Sequence, residues 1–181
     1  MVKLNSYKKI SFLISGGGSN LLEILKKNSK KKNFEVVTVI SNNLICPKIK
    51  SILNKFNKNV LIKENQRVLQ KKSFFNSDII FSLGYMKIIE KEIVANFDVI
   101  NLHPSILPAY KGLMTQKRML INNEKNYGFT IHKVSNELDE GKTIYNKIRK
   151  ISTKDETELL SMHKSLEHKF VYKQLINYLL S

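Results

Sequence analysis

Five short runs of this chain are apolar almost without interruption. They are Ile10-Ser11-Phe12-Leu13-Ile14, Val36-Val37-Thr38-Val39-Ile40, Val60-Leu61-Ile62, Ile79-Ile80-Phe81-Ser82-Leu83 and Val99-Ile100-Asn101-Leu102. A strand that is apolar on both faces must be covered on both faces, and such strands belong to parallel sheets. Between the runs lie segments with helical patterning: one from Leu21, one from Pro47 to about Phe56, one from Asn65 to about Phe75, and a loop from Tyr85 that leads into a helix around Ile93. Strands alternating with helices predict a doubly wound sheet. After His103 the pattern changes. An irregular loop covers Pro104 to Gly112, and a helix is expected over Thr115 to Asn122. Gly128 to Val134 and Lys142 to Ile151 then alternate like half-exposed strands around a short acidic loop, as in an antiparallel pair. Thr153-Lys154-Asp155-Glu156 resembles a capping box opening a last helix to about Leu180. The expected fold is α/β: a single-domain, Rossmann-like open twisted sheet, mostly parallel with an antiparallel C-terminal hairpin and helices on both faces.

The chain has 181 residues, which suits one domain with a sizeable core. Its polar start and the short apolar run leading into glycines read as a first strand, not a signal peptide. The longest apolar runs fall short of a membrane span. A single cysteine, Cys46, cannot form an internal disulfide and fits a reducing compartment, so the cytoplasm is expected. The net charge of +16 raises the question of a nucleic-acid partner. The lysines are scattered along the chain, however, and arginine is confined to Arg67, Arg118 and Arg149. Specific nucleic-acid readers lean on arginine for bidentate contacts. The charge reads as solvated surface with some attraction for anionic substrates, and neither nucleic acid nor membrane is expected as a partner.

Two stretches carry candidate chemistry. The first strand runs into Gly16-Gly17-Gly18-Ser19-Asn20 and then a helix, the geometry of an anion site at a helix N-terminus. Ser19 or Asn20 could cap that helix or donate to a phosphate. The run matches neither the dinucleotide fingerprint nor a P-loop; an ordinary strand-to-helix turn is the plainer reading. In the second stretch, Asn101 and His103 share one face at the end of the fifth run, because alternate residues of a strand point the same way. Pro104 and Pro108 follow. Both residues could simply cap a turn. Further on, the loop His132-Lys133-Val134-Ser135-Asn136-Glu137-Leu138-Asp139-Glu140-Gly141 offers a carboxylate beside a glycine, which is also common turn chemistry. If Asn101, His103 and Asp139 converge, an imidazole oriented by a carboxylate and an amide donor could stabilise an oxyanion. The Asp could move a proton. No His/Cys cluster suggests a metal, and the chemistry indicated is direct group transfer to an incoming nucleophile.

Over nearly its whole length the sequence resembles the folate-dependent phosphoribosylglycinamide formyltransferases. The residues that carry the likeness are Ile14-Ser15-Gly16-Gly17-Gly18-Ser19-Asn20-Leu21, Gly84-Tyr85-Met86-Lys87-Ile88-Ile89, Asn101-Leu102-His103-Pro104-Ser105-Ile106-Leu107-Pro108 with Gly112, Gly128-Phe129-Thr130-Ile131-His132, and Glu137-Leu138-Asp139-Glu140-Gly141. The resemblance implies one formyltransferase catalytic domain over 1–181. It implies transfer of the formyl group of 10-formyltetrahydrofolate, a co-substrate, to the amine of glycinamide ribonucleotide in purine biosynthesis. No metal is implied, and the protein would be a monomer or a homodimer. By matching position, Asn101, His103 and Asp139 would be catalytic, with His132 in support beside Asp139. Gly17, Gly18, Ser19, Asn20 and Glu167 would bind the ribonucleotide. Arg67, Met86, Lys87, Ile88 and Ile89, together with Asn101 and Asp139, would bind the folate.

The sequence departs from the family pattern at three places. Met114-Thr115-Gln116 stands where His-Thr-His is usual, Glu140 where a second glycine often follows the Asp, and Tyr110-Lys111 where a proline usually precedes Gly112. Related alternatives are the catalytic domain of a methionyl-tRNA or a sugar-nucleotide formyltransferase. A basic binding protein on a degenerate formyltransferase fold is an alternative of another class, and the intact Asn101, His103 and Asp139 argue against it.

Overall fold

The computed structural model describes residues 7–15, 17–56 and 59–181. Gly16 of the glycine loop and the polar start at 1–6 lie outside them. In chain order the elements are β1 (Lys9–Ile14), α1 (Ser19–Lys31), β2 (Glu35–Ser41), α2 (Pro47–Phe56), β3 (Leu61–Lys63), a 3-10 turn (Lys71–Phe74), β4 (Ile79–Leu83), α3 (Lys91–Asn96), β5 (Asp98–His103), α4 (Thr115–Ile121), β6 (Asn126–Lys133), β7 (Thr143–Lys150) and α5 (Glu156–Leu180). They form one seven-stranded sheet in the order β3-β2-β1-β4-β5-β6-β7. Strands β1 to β5 pair in parallel, and β6 and β7 join antiparallel beyond β5.

Strands β1, β2, β4 and β5 bury both faces, as their composition requires, while the edge strand β3 leaves Leu61 exposed. Ile10, Phe12, Ile14, Ile79, Phe81, Ile100 and Leu102 belong to one core, while Leu13, Ile80 and Val99 belong to the other. This is the two-residue period of a strand written into packing. Helices α1 and α5 pack together over the first core. The second is covered more thinly, by Phe74 of the 3-10 turn and Ile93 of α3.

Three local expectations change. The helix expected from Asn65 to Phe75 is only the 3-10 turn at Lys71–Phe74. Asn65 sits at φ 56, and the Leu69 N–H donates to Glu90 Oε1 instead of a helical carbonyl. The last helix is capped two residues later than Thr153 suggested: Asp155 accepts from the Glu158 N–H at 2.7 Å. Neither Ser19 nor Asn20 caps α1. Gly18 holds that position at φ 55 with no side-chain cap. A Cβ there would meet Ile49 Cδ1 at 2.8 Å and Ile14 Cδ1 at 3.0 Å, so the position needs glycine for space as well as for backbone.

The order in which strands are added to the sheet reverses between β1 and β4, and open α/β sheets bind ligands at the carboxyl ends of strands at such a switch point. Here the two strand ends are tied together. Ser15 Oγ accepts from the Met86 N–H at 2.9 Å and also bonds the Asn42 side chain.

Candidate active site

A cavity of about 470 Å³ opens at this edge of the sheet. Its wall includes Asn101 and His103 from the end of β5, Asp139 from the loop after β6, Asn20 from the first turn of α1, and His163 and Glu167 from α5. The volume is that of an ordinary small-molecule site.

The antiparallel pairing of β5 with β6 places Asn101 opposite His132 and His103 opposite Thr130. Cross-strand neighbours on one face touch, and the Asn101 amide nitrogen lies 3.2 Å from His132 Nε2. His132 Nδ1 lies 2.8 Å from the Lys133 carbonyl. A carbonyl can only accept, so Nδ1 carries the proton. Burial, the largest influence, holds the His132 imidazole below its ordinary value, against the Lys133 carbonyl and Asp139, which favour its charged form. A neutral His132 then presents the Nε2 lone pair to Asn101. It takes one amide N–H and leaves the other for a ligand. Asp139 Oδ1, 3.6 Å from the same nitrogen, completes no hydrogen bond with the neutral ring.

His103 is 5% exposed. Its Nε2 donates to the Tyr110 carbonyl at 2.9 Å, and its Nδ1 faces Asp139 Oδ2 at 3.4 Å. Both ring nitrogens therefore face oxygen acceptors. The Gly112 N–H donates to the same Asp139 oxygen at 2.8 Å, tying the two loops of the site together. Tyr110, Met114 and Asp139 all adopt positive φ, at 57°, 57° and 54°. Each such residue costs about 1–3 kcal/mol and persists only where its surroundings enforce it.

The loop that carries Asp139 closes on glycine. A Cβ on Gly141 would stand 1.7 Å from the Lys133 carbonyl oxygen, so backbone must move. Gly141→Ala is expected to destabilise the fold by about 1–3 kcal/mol, and to lower activity because the shift displaces Asp139. A melting curve and a rate measured together check this; an unchanged melting temperature would show that the loop gives way freely.

At the other end of the cavity, Asn20 Nδ2 donates to Glu167 Oε2 at 2.7 Å. Glu167 is 6% exposed. Burial pushes its carboxyl up to about 7, although Asn20 and Lys164 pull it down. The first-turn N–H groups of α1 have no intrahelical partners, so an anion can still be held there by backbone. The mouth is apolar, with Met86, Ile88, Leu113, Met114 and Leu138 all exposed while lining it. Exposed apolar residues gathered on one groove mark a ligand face. Among the described residues no group of three or more His, Cys, Asp or Glu is placed to hold a metal ion.

Of the residues singled out in the sequence, the cavity wall brings together Asn20, Met86, Lys87, Ile88, Asn101, His103, Asp139 and Glu167. His132 stands behind it. Gly17, Gly18, Ser19, Arg67 and Ile89 are not in the wall. Arg67 is exposed, and Ile89 packs half-buried against the second core. Gln116, Leu160 and His163 line the cavity without having been singled out as site residues. His163 carried one signal, its place four residues before Glu167, which puts both on one helix face.

The departures from the family pattern find partners. Lys111 Nζ lies 2.6 Å from Glu140 Oε1, bridging the two site loops. Gln116 Nε2 lies 3.2 Å from His163 Nδ1.

The chain is similar in sequence and in fold to known proteins. A phosphoribosylglycinamide formyltransferase of Haemophilus influenzae is 32% identical over 158 residues, covering 74% of this chain and 69% of the relative. A trifunctional purine biosynthetic protein adenosine-3 of Gallus gallus is 29% identical over 177 residues, covering 89% of this chain, which spans only 17% of that protein's length. The crystal structure of a phosphoribosylglycinamide formyltransferase from Campylobacter jejuni superposes with a TM-score of 0.78 at 29% identity, covering 96% of this chain and 98% of that one. Residues 8–175, from the approach to β1 to the last turns of α5, match the family described as formyl transferase. With that match running through every strand that builds the cavity, the chain belongs to the formyl transferase family.

Proposed function

We propose that residues 1–181 act as one catalytic domain that transfers the formyl group of 10-formyltetrahydrofolate to the amine of N1-(5-phospho-D-ribosyl)glycinamide. The products are the N-formyl ribonucleotide and tetrahydrofolate, and the step belongs to purine biosynthesis. The observation that carries this reading is one cavity whose wall holds both an Asn101–His103–Asp139 cluster and the part-buried Asn20–Glu167 pair.

The folate supplies a formyl carbon bonded to N10. The acceptor amine forms a bond to that carbon, the bond to N10 then breaks, and one amine proton ends on N10. Charge develops on the formyl oxygen between the two events. The free amide N–H of Asn101 is the donor left for that oxygen, held in place by neutral His132. His103 contributes its positive charge beside it, with its Nε2–H held on Tyr110. Preorganised donors of this kind are worth roughly 10²–10³ in rate each. Asp139 keeps His103 doubly protonated and takes the proton from the amine. The apolar mouth from Met86 to Ile88, with Leu138 opposite, suits the flat pteridine. The free N–H groups at the start of α1, near Gly17, Gly18 and Ser19, suit the phosphate.

Among the described residues no helix is long and apolar enough to cross a membrane. We place the activity in the cytoplasm, where a lone Cys46 stays reduced.

The direct assay mixes the protein with 10-formyltetrahydrofolate and glycinamide ribonucleotide. Tetrahydrofolate, followed by absorbance, and the formylated ribonucleotide, followed by mass, are expected in equal amounts. Release of formate with no dependence on the ribonucleotide, or no turnover at all, would sink this reading.

A further inference from the structure

Four buried side-chain nitrogen or oxygen atoms among the described residues have no hydrogen-bond partner: Asn20 Oδ1, Glu90 Oε2, His163 Nε2 and His168 Nε2. Two of those residues, Asn20 and His163, line the cavity. Leaving such atoms unpaired is costly in a folded interior, so a pair of them on a ligand site points to a ligand group that satisfies them.

The protonation of His163 is fixed by its neighbours. The Thr115 hydroxyl donates to Gln116 Oε1 at 2.9 Å. That assigns the Gln116 oxygen and leaves its Nε2 to donate, which it does to His163 Nδ1 at 3.2 Å. Burial alone pushes the His163 imidazole down to about 4, so the ring is neutral at ordinary pH. With Nδ1 accepting, the single proton sits on Nε2. The ring is further held by stacking on Tyr127, centroids 4.8 Å apart and planes 27° from parallel. His163 is therefore a rigid, uncharged donor without a partner, one helical turn from Glu167. Asn20 Oδ1 is an acceptor without a partner, and the other end of its amide already donates to Glu167.

A ligand group that both donates and accepts completes this set, and a phosphate does not. Asn20 Oδ1 and the Glu167 carboxyl would both face its negative oxygens. A hydroxyl fits, because its oxygen accepts from His163 while its proton goes to Asn20 or Glu167. We propose that His163 is a sugar-reading residue, donating from Nε2 to a ribose hydroxyl of the acceptor ribonucleotide, and that Gln116 holds it in the tautomer that allows this. The proposal rests on the reaction given above and adds to it the residues that select ribose. A plain core histidine, stacked on Tyr127 and serving packing only, is the competing account.

The test crosses enzyme variants with sugar variants. Wild type is assayed with glycinamide ribonucleotide and with its 2′-deoxy and 3′-deoxy counterparts, beside His163→Phe, which keeps a stacking ring without the N–H, and His163→Gln, which restores a donor. One deoxy sugar is expected to raise the wild-type KM on the order of tenfold, the loss of one hydrogen bond left unpaired. His163→Phe is expected to raise the KM for the ribonucleotide by a similar factor, to move kcat less, and to leave the KM for the formyl donor alone. It should show no further penalty with that deoxy sugar, and His163→Gln should recover part of the loss. Equal losses by His163→Phe on every sugar, or unchanged discrimination between them, would overturn the proposal in favour of a packing role. Should His163→Phe not fold, the ¹⁵N resonances of His163 in the wild-type protein serve instead. They should report the Nε2–H tautomer and shift on adding the ribonucleotide but not the matching deoxy sugar, and no such difference overturns the proposal. Absence of any wild-type turnover of the ribonucleotide shows separately that the reaction itself is wrong, and the sugar role falls with it.

Discussion

Asp139→Asn is expected to lower kcat on the order of 10³-fold while leaving the melting temperature unchanged within about 2 °C. The two halves of that expectation come from different atoms of one side chain. An asparagine oxygen can still accept from the Gly112 N–H, now donated to Asp139 Oδ2 at 2.8 Å, so the loops stay joined. The other half of the group changes sign as a partner. An amide nitrogen facing His103 would be a donor where an acceptor stood, 3.4 Å from Nδ1. With Nε2 still bonded to Tyr110, a singly protonated ring becomes the state that satisfies both contacts. On the proposed mechanism, His103 then loses the charge that helps hold the formyl oxyanion, and the proton acceptor for the amine is lost with it. Alanine would be a poorer probe, because it also removes the Gly112 contact and lets both loops move. Steady-state rates beside a thermal melt decide the matter. A variant that retains a third or more of the wild-type rate would mean that Asp139 is not the proton-handling group.

Glu167→Gln is expected to stabilise the protein at high pH and to harm its binding of the ribonucleotide. The carboxyl is raised from 4.5 to about 7 by burial. A group whose folded value is raised in this way binds its proton more tightly in the folded state between those limits. For an acid, stability is therefore greatest below about pH 4.5, declines as pH rises through the window, and stays low above about pH 7. Glutamine cannot ionise, and its amide oxygen can still accept from Asn20. The variant should match wild type near pH 4 and exceed it at pH 8 by up to about 3 kcal/mol, at 1.36 kcal/mol for each tenfold change in acid constant. That corresponds to about 6–12 °C in melting temperature for a domain of this size. The ribonucleotide KM should rise, because a neutral amide accepts less strongly from a sugar hydroxyl than a carboxylate. Melts of both proteins across pH 4 to 8 are the measurement, and parallel pH profiles would show that Glu167 is not held protonated by the fold. Stability lost to a buried carboxyl at a binding site is a common trade.

The site was legible in the sequence in proportion to how local its geometry is. Asn101 and His103 share a face because a strand alternates, and any reader of β5 can see it. Their link to His132 needs only the β5–β6 register. Asp139 was visible as a carboxylate before Gly141, but its reach to His103 depends on a loop held by Gly112 and by Lys111–Glu140. Those two residues looked in the sequence like unrelated departures from a pattern. Packed together they are one bridge, and Gln116 with His163 is a second. Arg67 was not legible in the same way. It lies just beyond Asn65, in a segment with no periodic structure, where matching by position has no register to hold it.

Taken by itself, the sequence determined the sheet. Five doubly apolar runs leave no stable arrangement but a covered parallel sheet, and the change to alternating runs after His103 sets its antiparallel end. It determined the family as well, through residues spread along most of the chain. Only the tertiary structure decided which polar groups meet at the cavity wall. Asn20 and Glu167 are 147 positions apart and meet because α5 folds back across α1. Burial then shifts the Glu167 carboxyl and the His163 imidazole, and no residue-by-residue reading contains that burial. Periodicity is a property of neighbours in the chain, whereas desolvation is a property of neighbours in space.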